Sequence, residues 1–224
     1  MQEFVKQCDI CQRQRYAATS PVGLLQPLLI PDCVWGDISL DFITGLPRSK
    51  GFDVVFVVVH RLSKYGHFIP LKHPYRTRQV AEIFAKEIVK LHGIPNSIVS
   101  DRDPLFMSLF WQGLFRIQGI VVKMSSSYHS ETNSQTEMVN RCLGTYLRCF
   151  VLEQPKHWVD WIPWAELWYN TTFHVTTRKT PFEVVYGRAP PPLVCFTKGE
   201  TNAEAMAAKL VDRDEALRQL KYHL

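Results

Sequence analysis

The run Val54-Val55-Phe56-Val57-Val58-Val59 constrains the fold of this chain more than any other stretch. Its β-branched residues continue without a polar break, which is the pattern of a strand buried on both faces rather than of a helix or a half-exposed strand. Such a strand needs covering layers on both faces. Before it, Trp35 to Ile43 alternates, with Ile38, Leu40 and Phe42 on one face and Asp37, Ser39 and Asp41 on the other. Asp41 is therefore a carboxylate in mid-strand. After it, His67-Phe68-Ile69-Pro70-Leu71 reads as a third strand, placed at a sheet edge because Pro70 cannot donate to a ladder.

Thr77 to His92 has the period of an amphipathic helix, with Val80, Ile83, Phe84, Ile88 and Leu91 on one stripe and Gly93 as its stop. The turn Gly93-Ile94-Pro95-Asn96 leads into a short strand, Ile98-Val99-Ser100, with Asp101 at its exit. A helix from Ser108 to Gln118, with Phe110, Leu114, Phe115 and Ile117 apolar, and a strand from Ile120 to Lys123 precede a loop over Ser125 to Ser130. From Glu131 to Phe150 there is no proline, and Val139, Leu143, Tyr146, Leu147 and Phe150 recur at helical steps, which puts Glu137 in the first turns of a long helix. The four tryptophans between Trp158 and Asn170, around Pro163, have a spacing that favours core packing over base stacking. Thr180-Pro181 opens a short helix to Tyr186. This order of elements describes an α/β domain with a mixed sheet covered by helices.

The proline-rich stretch Pro21 to Pro31 breaks both periodicities and reads as a linker, and Pro190-Pro191-Pro192 closes the domain. The expected division is a short N-terminal segment, 1–20, a linker, 21–33, a core, 34–190, and a tail, 191–224, in which Ala203 to Leu224 forms a charged amphipathic helix. With 46% apolar residues the chain can build a real core, and a net charge of +5 permits a polyanionic partner without arguing for one. No run approaches eighteen apolar residues and the N-terminus lacks the apolar centre of a signal peptide, so the expectation is an intracellular chain without a membrane partner. Of six cysteines, only Cys8 and Cys11 have a ligand-like spacing. Two thiolates are half of a tetrahedral zinc site, and no histidine precedes them. They read as free thiols on a short helix or as the truncated end of a zinc-binding module.

Asp101 at a strand exit and Glu137 on a helix invite a shared metal. Thirty-five residues separate them, and fifty-nine separate Asp41 from Asp101. This spacing resembles the Asp-Asp-Glu signature of retroviral and retrotransposon integrases. The likeness extends to Cys8-x-x-Cys11-Gln12-Arg13, Asp41-Phe42-Ile43-Thr44-Gly45-Leu46-Pro47, Arg61-Leu62-Ser63-Lys64-Tyr65, Leu91-His92-Gly93-x-Pro95, Ser100-Asp101-Arg102-Asp103, Tyr128-His129, Gln135-Thr136-Glu137, Trp168-Tyr169-Asn170 and Thr180-Pro181-Phe182-Glu183. Together these are similar to gypsy-class integrases of plant long-terminal-repeat elements. The resemblance implies an RNase H-like fold with a mixed five-stranded sheet, catalysis by Asp41, Asp101 and Glu137, and Cys8 and Cys11 as the surviving half of a His-His-Cys-Cys zinc module. It further implies double-stranded DNA at element ends and target as partner, a homo-oligomer when complete, and work in the nucleus.

Phosphodiester cleavage and joining make the same demand, because in-line displacement uses two hard cations about 4 Å apart. Magnesium or manganese held by carboxylates meets it. Asp53, Asp103 and Glu131 read as ordinary solvated carboxylates. Arg141 and Arg148 follow Glu137 at four and eleven residues, on one helix face, where they suit a DNA backbone or a solvated surface. Against the family pattern Tyr-His-Pro-Gln-Thr-Asp-Gly-Gln-Thr-Glu, this chain carries Ser130, Glu131, Asn133 and Ser134 for proline, glutamine, aspartate and glycine, and His60 stands where an aspartate is usual. The expectations are thus an integrase core impaired in joining, a DNA-binding copy without catalysis, or a nuclease on the same scaffold.

Overall fold

The structure is a computed structural model that describes residues 33–100, 103–124, 134–151, 157–192 and 211. The expected N-terminal segment with Cys8 and Cys11, most of the linker, the loop over Ser125 to Ser130 and nearly all of the C-terminal helix lie outside these residues.

Strand β2 (Val54–His60) is buried at every position, as its β-branched run requires. It pairs antiparallel with β1 (Asp37–Ile43) on one side and with β3 (Gly66–Leu71) on the other. Strand β1 continues the sheet through parallel pairing to β4 (Ser97–Ser100), and β4 pairs parallel with β5 (Val121–Met124). The resulting order, β3-β2-β1-β4-β5, puts Pro70 on an edge strand. This is the mixed five-stranded sheet expected from the sequence.

Alternation assigns each strand residue to one of two cores. Ile38, Leu40, Val54, Phe56 and Val58 pack against helix α1 (Thr77–Phe84) and helix α2 (Leu109–Ile117) through Val80, Phe84, Trp111 and Phe115. Val55, Val57 and Val59 face the opposite layer, where helix α3 (Ser134–Val151) contributes Val139, Leu143, Tyr146 and Leu147, and helix α4 (Trp158–Thr171) contributes Trp158, Ile162, Ala165 and Tyr169. Each of these burials is worth roughly 1.5–3 kcal/mol for a Val, Leu or Ile side chain, which is what keeps the layers closed. Trp158 is fully packed, in line with a core role for the tryptophan-rich segment. Helix α5 (Pro181–Tyr186) starts at an N-cap, Thr180, whose hydroxyl accepts from the Glu183 N–H at 3.0 Å while the Glu183 carboxylate accepts from the Thr180 N–H at 2.9 Å. Among the described residues no helix is long and apolar enough to cross a membrane.

Three details depart from the sequence reading. Leu91 is 60% exposed instead of lying on the α1 stripe. Helix α1 runs into a π-helical stretch, Ala85–Val89, before a last turn, Lys90–His92, and its wider turn delays the phase by about one residue, so His92 turns inward in place of Leu91. Ile117 is likewise exposed, because the buried face of α2 is set by Trp111 and Phe115, four residues apart, and Ile117 falls off that stripe. Trp35 belongs to a turn before β1, with φ at +62°, and is nonetheless buried.

Candidate active site

Asp41 sits in β1 opposite Val57 of β2, and its neighbours on that face, Ser39 and Ile43, oppose Val59 and Val55. Because Val55, Val57 and Val59 all face α3 and α4, the alternation of the strand places the Asp41 carboxylate on the same side. Its burial is intermediate. The Phe42 N–H donates to Asp41 Oδ1 at 2.8 Å, and Asn140 Nδ2 donates to Asp41 Oδ2 at 2.8 Å.

The second of these bonds fixes where α3 lies. Val139, Leu143, Tyr146 and Leu147 press the helix onto the sheet, and Asn140, next to Val139, reaches the strand carboxylate. Glu137 lies three residues earlier in the same helix, which is the spacing of side chains on one face. The Glu137 side chain is outside the described residues, as is that of Arg148. Arg141 is exposed on the same helix.

Strand β4 approaches from the other side. Ser100, its last residue, pairs with Leu40, the residue before Asp41. Asp101, next in sequence, lies outside the described residues, so the structure brings together Asp41, the helix that carries Glu137 and the end of the strand that precedes Asp101. Asp53 instead accepts a hydrogen bond from the His73 N–H at 2.8 Å, and Asp103 accepts from the Leu105 N–H at 2.8 Å, both local loop roles.

Asn140 was not singled out by the sequence reading, although its position one turn after Glu137 is the signal that could have found it. Its amide spends Nδ2 on Asp41 and leaves Oδ1 buried without a hydrogen-bond partner. An orphaned amide oxygen beside a carboxylate is an acceptor for an added donor, such as a water on a hard cation. The oxygen donors present therefore fit magnesium or manganese. Among the described residues no group of three or more His, Cys, Asp and Glu is arranged around a common ion, a set that contains only one of the three acidic candidates with its side chain.

No family model matches the chain. It is 35% identical over 190 residues, 85% of its length, to the Transposon Tf2-3 polyprotein of Schizosaccharomyces pombe, and equally to the Tf2-4 polyprotein. The chain spans 14% of the length of these polyproteins, so it corresponds to one segment of them. Among solved structures it is similar to a chain of the simian T-cell lymphotropic virus intasome in complex with PP2A regulatory subunit B56 gamma, with a TM-score of 0.61 at 18% identity over 88% of this chain and 69% of that one. It is also similar to the HTLV-2 integrase catalytic core domain in complex with magnesium, with a TM-score of 0.55 at 18% identity over 70% of this chain and 99% of that one. The chain is a homologue of a transposon polyprotein segment and has the RNase H-like fold of retroviral integrase catalytic cores.

Proposed function

We propose that this chain is the catalytic core of a long-terminal-repeat retrotransposon integrase of gypsy class, a polynucleotidyl transferase that trims the 3′ ends of element DNA and joins them to target DNA. The observation that carries this reading is the hydrogen bond from Asn140 to Asp41, which docks the helix of Glu137 on the strand of Asp41. Homology to the Tf2 polyproteins and the integrase-core fold support it.

In this reading Asp41, Asp101 and Glu137 hold magnesium or manganese. Bound there, the cations would activate the attacking oxygen and stabilise the leaving one in an in-line displacement. Asn140 is a positioning residue that keeps the Asp41 carboxylate from rotating. Arg141 and Arg148 offer positive charge to the DNA backbone beside the carboxylates. The core occupies residues 34–190, and Cys8 and Cys11 belong to a zinc module completed by ligands upstream. Joining two DNA ends to a target requires a homo-oligomer and takes place in the nucleus.

The test is strand transfer by the whole chain with manganese and a pre-processed element end. Asp41→Asn, Asp101→Asn and Glu137→Gln should each abolish joining and hydrolysis while DNA binding persists. Any activity that survives Asp41→Asn unchanged overturns the assignment. A second reading, a copy that binds DNA but joins it poorly, is favoured by Ser130, Glu131, Asn133 and Ser134 just before Glu137, since a shift of about an ångström in a metal ligand can cost on the order of a hundredfold in rate. Restoring proline at 130 and glycine at 134 should raise joining in that case.

A further inference from the structure

Toward the other end of β1 from Asp41, four elements converge on a cluster of aromatic rings and imidazoles that the integrase reading does not use. His67 is the second residue of β3, His92 ends the last turn after α1, Glu166 lies on α4, and Trp35 precedes β1. The Trp35 ring stacks on His92 with centroids 3.6 Å apart and planes 8° from parallel, which fixes the imidazole plane. His67 Nδ1 lies 3.0 Å from Glu166 Oε1. An ionised carboxylate only accepts, so His67 Nδ1 carries the proton and donates it. Its other nitrogen, Nε2, lies 2.9 Å from His92 Nε2.

Two imidazole nitrogens this close share either a proton or a cation. Glu166 adds a charge argument. Its side chain is 27% exposed, its second oxygen accepts from the Phe68 N–H at 2.8 Å, and among the described residues no lysine or arginine forms an ion pair with it. Positive charge on the imidazole pair is what would balance this carboxylate. A carboxylate behind the far nitrogen of a histidine is also the arrangement that orients metal-ligating imidazoles and raises their basicity. His60, nearby, is already spent: its Nε2 accepts from the Trp35 N–H at 2.8 Å and its Nδ1 meets Ser63 Oγ at 2.6 Å.

We propose that His67 and His92 are two ligands of a binding site for a divalent transition-metal ion of the zinc class, with Glu166 orienting His67 and water completing the coordination. In a tetrahedral site with metal–nitrogen bonds of about 2.0–2.1 Å the two nitrogens stand about 3.3 Å apart, so the observed pair needs to open by only a few tenths of an ångström. Imidazole ligands select zinc, nickel, cobalt or copper and disfavour magnesium, so this site and the carboxylates at Asp41 answer to different ions. A metal here would tie the edge strand to the end of α1 and, through Glu166, to α4.

The experiment uses the whole chain with Cys8→Ser and Cys11→Ser, which removes the competing thiolates, titrated with Co2+ and Zn2+ in excess magnesium. The expected result is one Co2+ per chain with visible d–d bands, displacement by Zn2+, a rise in Tm with either ion, and a loss of affinity of about ten- to a hundredfold in Glu166→Gln, which keeps an oxygen for the Phe68 N–H. His67→Gln and His92→Gln should each abolish the bands. Histidine 1H–15N spectra of the parent identify the ligands without any substitution, since Zn2+ should shift the Nε2 resonances of two imidazoles. Absence of Co2+ binding in the folded parent, binding retained by the double variant, or Zn2+ shifts confined to other histidines overturns the proposal.

Discussion

His60 ends β2 with no exposed surface, and burial pushes its pKa down to about 4. Its Nε2 accepts the Trp35 N–H at 2.8 Å, and its Nδ1 lies 2.6 Å from Ser63 Oγ. Between pH 6.5 and 4 the unfolded chain binds a proton at this imidazole that the folded chain refuses. The stability it contributes is therefore complete above pH 6.5 and is lost as pH falls toward 4. His60→Ala should remove part of that acid-side slope and also cost about 2 kcal/mol or more at pH 7, because the Trp35 N–H loses its acceptor and a void opens. Denaturant melts at pH 7.5 and pH 5 check this, and an unchanged difference between the two pH values in the variant would clear His60 of the role. In the sequence His60 is visible only as a histidine in place of an aspartate. Its burial follows from the sheet packed around it.

Helix α3 carries both stability and chemistry on neighbouring positions, and substitutions along it should separate the two. Leu143 is 1% exposed in the core beneath Val57, so Leu143→Ala should cost about 2–5 kcal/mol and lower Tm without a specific effect on the salt dependence of DNA binding. Arg141 is exposed on the same helix. Arg141→Ala with Arg148→Ala should flatten the slope of log K against log salt by up to about 1.8, the value for two lost phosphate contacts. Binding to an element end measured from 50 to 300 mM salt decides, and an unchanged slope takes both arginines off the interface. The buried positions of α3 were readable from period alone. That Asn140 reaches Asp41 was not, because period says which face is covered and nothing about which strand lies beneath it.

Across the whole molecule, the sheet solves an edge problem through α4. The outward N–H groups of β3 are met one by one: Asn170 accepts from the Gly66 N–H and also donates to the Gly66 carbonyl, both at 2.8 Å, and Glu166 accepts from the Phe68 N–H. Pro70 has no N–H to satisfy. The strand thus has no free outward N–H to offer a further strand from another molecule. Asn170→Ala strips both bonds from a buried position and should destabilise the fold by roughly 2–4 kcal/mol, with concentration-dependent association that light scattering would detect. Association no greater than the parent's at parental stability would show that the edge is protected by something else.

The strands and helices of the core were contained in the sequence, since residue type and period respond to local burial: the all-buried run of β2, the edge position of Pro70 and the capping box at Thr180 are each decided within a few neighbouring residues. Phase along a helix is local only while the helix stays α-helical, and the π-helical stretch that exchanged Leu91 for His92 answers to packing against Trp35 and the sheet. Tertiary structure alone decided the contacts between residues about a hundred positions apart, Asn140 with Asp41, Glu166 with His67 and Asn170 with Gly66. A hydrogen bond depends on where two backbones are delivered in space, and the delivery is set by the parallel and antiparallel order of the sheet and the helices that cover it.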